Sequence, residues 1–270
     1  MHALPGASGV RVHLFHGLSG DADADYVRRT AAVLRERGHE VWAANHRGCG
    51  AGRGLARGPY HSGSSADLAA VLASSHAEAP DRVHVAIGFS LSGNALLLAA
   101  AEQRAPWLAG LIAVSPPLDL AAAARDVHRG LARLYELRFL LRLRRALRER
   151  VEDGLLARCP RVPWHLSLRA FDDLYTAPAG GFRDSGDYYA RCSAGPRLAE
   201  VRTPGVIIAA RDDPFVRPGP LRACARPPWL ALHLEDHGGH TAFLERDGLG
   251  WRHWLDGALT HYVETLARPG

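Results

Sequence analysis

Short apolar, β-branched runs recur along the chain, each followed by a Gly-rich turn and a longer stretch of helical composition. The first run is Val10–Phe15, closed by His16-Gly17-Leu18-Ser19-Gly20. Asp21–Arg37 then reads as a helix, with carboxylates near its start and Gly38 as its stop. Glu40–Ala44 is a second strand, followed by a Gly-rich loop that runs to Gly58 and a helix over Ser65–Ala77. Val83–Ile87 is a third strand; it turns at Gly88–Gly93 and passes into the Ala/Leu run Asn94–Glu102. Ala109–Ser115, Val201–Ala210 and Leu230–Leu234 read as three more strands. The chain closes on an amphipathic helix carrying Trp251, Trp254, Leu255, Leu259, Tyr262 and Leu266. About six strands alternating with helices predict an α/β fold with a mainly parallel sheet, in the order second, first, third, fourth, fifth, sixth. Glu40–Ala44 is then an open edge, which invites either pairing of two copies into a homodimer or covering by the N-terminal residues.

The strand–helix rhythm stops between Leu118 and about Glu200. Arg125–Arg150 is helical in composition, with nine Arg and three acids. Leu131, Leu134, Leu137 and Leu141 make an apolar stripe that should face the core or a bound apolar group, with the arginines outward. Leu168–Ser193 is mixed and aromatic. The expected organisation is a core of residues 1–117 and 201–270, with 118–200 inserted as a helical cap.

Composition narrows the chemistry. The 270 residues carry a formal charge of +5, and all 33 basic side chains are Arg. Without Lys there is no Walker-type P-loop. A bias toward Arg, with no nucleic-acid-binding signature, gives no reason to expect a nucleic-acid partner. G-x-G-x-x-G fails in the loop after Glu40–Ala44, because Arg53 and Leu55 stand at the third Gly position. The Asp21–Asp25 run lacks the Gly and Glu of an EF-hand, having Tyr26 and Ala32 there, and is better read as helix-capping carboxylates. Four dispersed cysteines without C-x-x-C predict reduced thiols. The absence of a leader or a long apolar run points to a cytoplasmic protein. No cofactor is expected. His13/His16 and His237/His240 share an H-x-x-H spacing, but no acidic partner stands between them and strand ends do not put both on one helix face, so zinc is disfavoured.

The chemistry gathers at Gly88-Phe89-Ser90-Leu91-Ser92. Strand, tight turn with a central Ser, then helix is a nucleophile elbow: it holds a weak nucleophile clear of the sheet, where a base can reach it. The residues two before and two after the Ser must be small. Here they are Gly88 and Ser92, and Ser92 departs from the usual Gly. In an open parallel sheet reactive groups collect at the carboxyl ends of strands. Ser90, Asp212 or Asp213, and His240 or His237 stand at such ends in the order Ser, Asp, His. The spacing in Ala210-Arg211-Asp212-Asp213-Pro214-Phe215 favours Asp213, with Asp212 as a turn carboxylate. Gly238-Gly239 gives His240 a flexible approach. Ser90 would attack an acyl carbon, His240 would move the proton, and the Asp would hold the imidazole. The backbone N–H groups of Leu91 and Leu18 are candidate oxyanion donors.

The segments HGLSG (16–20), NHRGCG (45–50), YHSG (60–63), GFSLSGN (88–94), FDDLYTAPAGGF (171–182), DYYARCS (187–193), AARDDPF (209–215) and HGGHTAF (237–243) together resemble the AB hydrolase 4 (YheT-like) family of the α/β-hydrolase superfamily. The resemblance implies a serine hydrolase of carboxylic esters, esterase- or lipase-like, with Ser90, Asp213 and His240 as its triad. It also implies that two N-terminal strands of the family are lacking here. Two other readings use the same fold: a non-catalytic binding protein, and an acyltransferase with the same triad. The substrate expected is a small-molecule or lipid ester. The Arg-rich cap helix adds the expectation of weak peripheral contact with anionic lipid.

Overall fold

The computed structural model describes residues 2–4, 7–248 and 250–268. Six of the seven strands of the main sheet run parallel: β2 (Val10–Phe15), β3 (Glu40–Ala44), β4 (Val83–Phe89), β5 (Gly110–Val114), β6 (Gly205–Ala210) and β7 (Leu230–Glu235). Their order is β3-β2-β4-β5-β6-β7, the order the sequence predicts. β2, β3, β5 and β6 are buried along their whole length, which a sheet covered on both faces requires. On one face α1 (Asp25–Glu36) and α10 (Trp254–Leu266) pack Val27, Leu34, Leu255, Leu259 and Val263 against the strands. On the other, α2 (Ser65–Glu78) and α3 (Leu91–Ala101) supply Leu68, Leu72 and the run Ala95–Leu98.

Three expectations are corrected. First, β3 is not the open edge, and the sheet is not bare of N-terminal strands on that side, where the resemblance implies that two are lacking. A short strand β1 (His2–Leu4) pairs antiparallel with it, so the second of the two fates weighed for that edge, covering by N-terminal residues, is the one observed. Unpaired N–H and C=O groups along β3 find partners this way, and three residues are too few for alternation to reveal a strand. Second, the closing helix begins at Trp254. Trp251 belongs to a hairpin of β8 (Leu244–Asp247) and β9 (Gly250–His253) and is exposed. Third, the apolar stripe of the inserted segment is only partly inward: Leu137 is half-buried and the arginines Arg138, Arg142 and Arg148 are exposed as expected, but three of the four named leucines are not inside. α4 (Leu120–Val127) and α5 (Arg133–Glu152) are separate helices, broken at Gly130, where φ is +52°. α5 buries Glu136, Leu140, Leu147 and Arg150, while Leu131, Leu134 and Leu141 face solvent. The buried Glu136 carboxylate sets the phase: it accepts from the Leu168 N–H at 2.7 Å and pairs with His128 at 2.8 Å and Arg133 at 3.3 Å.

The insertion continues through α6 (Leu168–Phe171), one stretch of π-helix (Asp172–Thr176), α7 (Ala177–Ala179) and α8 (Ser185–Cys192), before a 3-10 turn and β6; α9 (Pro218–Ala223) lies between β6 and β7. Asn94 of α3 ties its far end to the core, donating to the carbonyls of Cys192 and Ser62 and accepting from the Ala194 N–H. Among the described residues no helix is long and apolar enough to cross a membrane.

Candidate active site

The sheet register brings the chemistry together. Phe15 pairs with Gly88 across β2–β4, so the loop after β2 meets the turn after β4. At that turn the Ser90 N–H donates to the Val114 carbonyl at 2.7 Å, and Ser90 itself sits at φ 52°, ψ −117°. A non-Gly residue in such a conformation costs about 1–3 kcal/mol and is kept only where its surroundings over-determine it. A Cβ at Gly88 would lie 2.6 Å from the Ser92 carbonyl oxygen, so the first small residue of the motif is obligatory. A Cβ at Gly17 would stand 3.2 Å from the Ser90 Cβ, so that loop approaches closely only because it has none.

Ser90 Oγ lies 2.8 Å from His240 Nε2, and His240 Nδ1 lies 2.8 Å from Asp213 Oδ2. The other Asp213 oxygen accepts the N–H groups of Phe215 and Val216 at 3.1 and 2.9 Å, which keeps a fully buried carboxylate solvated by the backbone. Phe215 packs on the imidazole, ring centroids 4.2 Å apart. Asp212 plays a different part: its Oδ1 accepts from the N–H groups of Gly238 and Gly239 at 2.9 and 2.8 Å, bracing the turn that delivers His240. His237 is exposed and stands 3.5 Å from Asp212, away from Ser90. The N–H groups of Leu18 and Leu91 donate to no other group among the described residues, and both residues line the pocket that holds Ser90. A serine, an imidazole within reach of it, a buried carboxylate and two free backbone donors at one point can form and stabilise a tetrahedral oxyanion.

The family model described as serine aminopeptidase, S33 (Hydrolase_4) matches residues 7–247. YheT of Escherichia coli (strain K12) is 34% identical over 268 residues, covering 94% of this chain and 76% of YheT. The chain is an α/β-hydrolase of the YheT-like family. It is also 28% identical to medium-chain fatty acid ethyl ester synthase/esterase 2 of Saccharomyces cerevisiae, over 89% of this chain but only 59% of that protein's length. Among solved structures, a monoacylglycerol lipase of Paleococcus ferrophilus superposes with a TM-score of 0.60 at 17% identity, covering 98% of both chains, which speaks for the fold alone.

The hydrolase pocket beside Ser90 has two kinds of wall. Leu120, Ala123, Ala124, Val127, Phe139, Leu143 and Leu168 make an apolar side, supplied by α4, α5 and α6. Tyr60, His61, Asp172, Thr176, Tyr188 and Tyr189 make a polar side. Burial pushes the Asp172 carboxyl up to about 6, although it accepts the Tyr189 O–H at 2.7 Å. Burial likewise holds His61 down at about 4, so it stands neutral in the wall.

Sequence reasoning misses Ser92, His46 and Tyr60 as a working group. Ser92 is wholly buried, and its hydroxyl donates to the His16 carbonyl. It accepts from His46 Nε2 at 2.6 Å and from the Tyr60 O–H at 3.0 Å. Burial keeps His46 well below the usual histidine range and therefore neutral, and its ring stacks on Tyr60 at 3.9 Å. The motifs that contain these residues were legible, but their mutual contacts were not. Among the described residues no group of three His, Cys, Asp or Glu side chains could hold a metal ion. His13 instead lies in the sheet, 3.1 Å from His84. The thiols of Cys49 and Cys192 are pushed up to about 12 by burial, so neither competes with Ser90 as a nucleophile.

Proposed function

We propose that this hydrolase cleaves carboxylic esters carrying an apolar acyl chain, with Ser90, His240 and Asp213 as catalytic residues. The observation that carries the reading is the unbroken line Ser90 Oγ–His240 Nε2, His240 Nδ1–Asp213 Oδ2, both links 2.8 Å, opening into a pocket with an apolar wall. Ser90 attacks the acyl carbon as His240 takes its proton. The Leu18 and Leu91 N–H groups receive the oxyanion, and Asp213 stabilises the imidazolium. His240 then protonates the leaving alcohol, and the same groups activate water against the acyl-enzyme. Residues 118–200 act as the cap that sets acyl-chain preference, since α4, α5 and α6 supply the apolar wall.

The chain spans 59% of the yeast relative, whose name joins ester synthesis to hydrolysis. That name favours acyl transfer to an alcohol as a second use of the same acyl-enzyme. Products formed with water and an added alcohol in competition separate the two. The test of the main reading is labelling by a fluorophosphonate probe, together with turnover of a p-nitrophenyl ester series by wild type and Ser90→Ala. Labelling at Ser90 and loss of turnover in the variant support it; no labelling of the folded wild type refutes it.

The ester is taken from a lipid surface by weak peripheral contact. Pairing into a homodimer has β1 and β7 as its candidate edges, and light scattering on the eluting protein distinguishes one copy from two. The location proposed is the cytoplasm, tested by fractionation.

A further inference from the structure

We propose that the outward face of α5 is a docking surface for an anionic lipid bilayer, from which the hydrolase takes its substrate. The proposal rests on the esterase reading above and names the surface through which it works. Leu131, Leu134 and Leu141 are 84, 65 and 63% exposed. Trp164, whose loop lies along α5 through Arg144 on the Pro163 carbonyl and Arg133 near the His165 carbonyl, is 77% exposed. Isolated exposed leucines need no explanation, but two on one helix face, with a third in the 3-10 turn that leads into it and a tryptophan beside them, do. The same face carries Arg138 and Arg148, neither of which has an ion-pair partner among the described residues. From Leu131 to Arg148 no exposed residue is a carboxylate.

Leucines to enter the acyl boundary, a tryptophan for the interface and arginines to meet phosphates are what a helix lying in a membrane surface presents. The charge argues against other occupants. A second copy would bring the same arginines against themselves. A nucleic acid would leave the leucines in water. The inner side of α5 supplies the link to catalysis. Phe139 and Leu143 line the pocket with Ser90, and Phe139 meets Phe215, which packs on His240. One helix therefore lies between the proposed bilayer and the nucleophile. Its phase is held by the buried Glu136 and its end by Arg53 on Asp153 at 2.9 Å, so the leucines are outside by construction. One face of one helix supports reversible, salt-sensitive contact.

The test is flotation of the full chain with phosphatidylcholine vesicles, with and without phosphatidylglycerol, at about 20 and about 300 mM salt. Wild type should float with the anionic vesicles at low salt and be released at high salt. Leu134→Glu/Leu141→Glu and Arg138→Glu/Arg148→Glu should each lower that binding at least about tenfold. Both variants should hydrolyse the soluble ester p-nitrophenyl acetate within about twofold of wild type, because none of these side chains reaches the pocket, and this shows that they are folded. No flotation of wild type, or equal flotation of the arginine variant, overturns the proposal. So does a concentration-dependent dimer that the leucine variant abolishes, since the face then belongs to a second copy. Vesicle binding is read without turnover, so failure of the esterase reading would show separately, as absent hydrolysis of the soluble ester.

Discussion

Ser92→Ala isolates what the hydroxyl of Ser92 does in place of the family's usual glycine. Its oxygen uses its full capacity: it donates to the His16 carbonyl and accepts from His46 and Tyr60. Removing it leaves the His46 Nε2–H and the Tyr60 O–H without this acceptor in a buried site, and the His16 carbonyl with only the longer 3.4 Å contact from Tyr60. An unsatisfied buried polar group costs about 1–3 kcal/mol, and some of these groups will find partial replacements. The expected loss of stability is therefore about 2–4 kcal/mol, read as a shift in the urea midpoint at constant slope. Ser92→Gly should lose a further 0.5–1 kcal/mol, roughly, from backbone entropy in the first turn of α3. The catalytic consequence follows from geometry. His16 stands two residues before Leu18, whose N–H is one proposed oxyanion donor. Deleting a whole donor costs about 10²–10³ in kcat, so loosening one should cost about tenfold, with KM changed less than about twofold. A Ser92→Ala protein within about 0.5 kcal/mol of wild type and with unchanged kcat would refute the reasoning, and would make Ser92 merely a tolerated small residue.

Ser90→Ala and His240→Ala should each lower esterase turnover by about a thousandfold or more while the urea transition stays cooperative, and near-normal turnover in either would remove the proposed mechanism. Asp213→Asn should cost on the order of 10³–10⁴ in kcat by leaving the imidazole in the wrong tautomer, whereas Asp212→Asn should cost about tenfold by loosening the Gly238-Gly239 turn; equal effects in steady-state kinetics would overturn the assignment. Asp172 should destabilise the fold as pH rises: its carboxyl is raised from 3.8 to about 6, so the folded state holds the proton more tightly, and this contribution is lost between those two values, by as much as about 3 kcal/mol. Asp172→Asn should gain on wild type as pH rises through that window and hold a constant advantage above it; urea-unfolding curves that stay parallel from about pH 4 to 8 would exclude a buried titrating Asp172.

Much of the molecule was legible because its signals are local. The strand–turn–helix around Ser90, the small residue at Gly88 and the strands that stop where His16, Asp213 and His240 begin are all visible within a few residues. The six-strand order follows from right-handed crossovers, and the Ser-Asp-His order from position at strand ends. What escaped depends on partners far along the chain. The choice between Asp212 and Asp213 is made by which carboxylate finds His240 and which finds the Gly238 and Gly239 N–H groups, some 27 residues on. Ser92 looks like an imperfect glycine until His16 and His46, 76 and 46 residues away, close on it. The phase of α5 escapes periodicity for the same reason. Hydrophobic periodicity assigns Leu131, Leu134 and Leu141 to the inside, yet α5 buries Leu140, Leu147 and Glu136 instead. That phase is tolerable because the Leu168 N–H, His128 and Arg133 replace the water that the Glu136 carboxylate gives up. Periodicity records what each side chain prefers alone, whereas the fold is decided by which polar groups can be satisfied together.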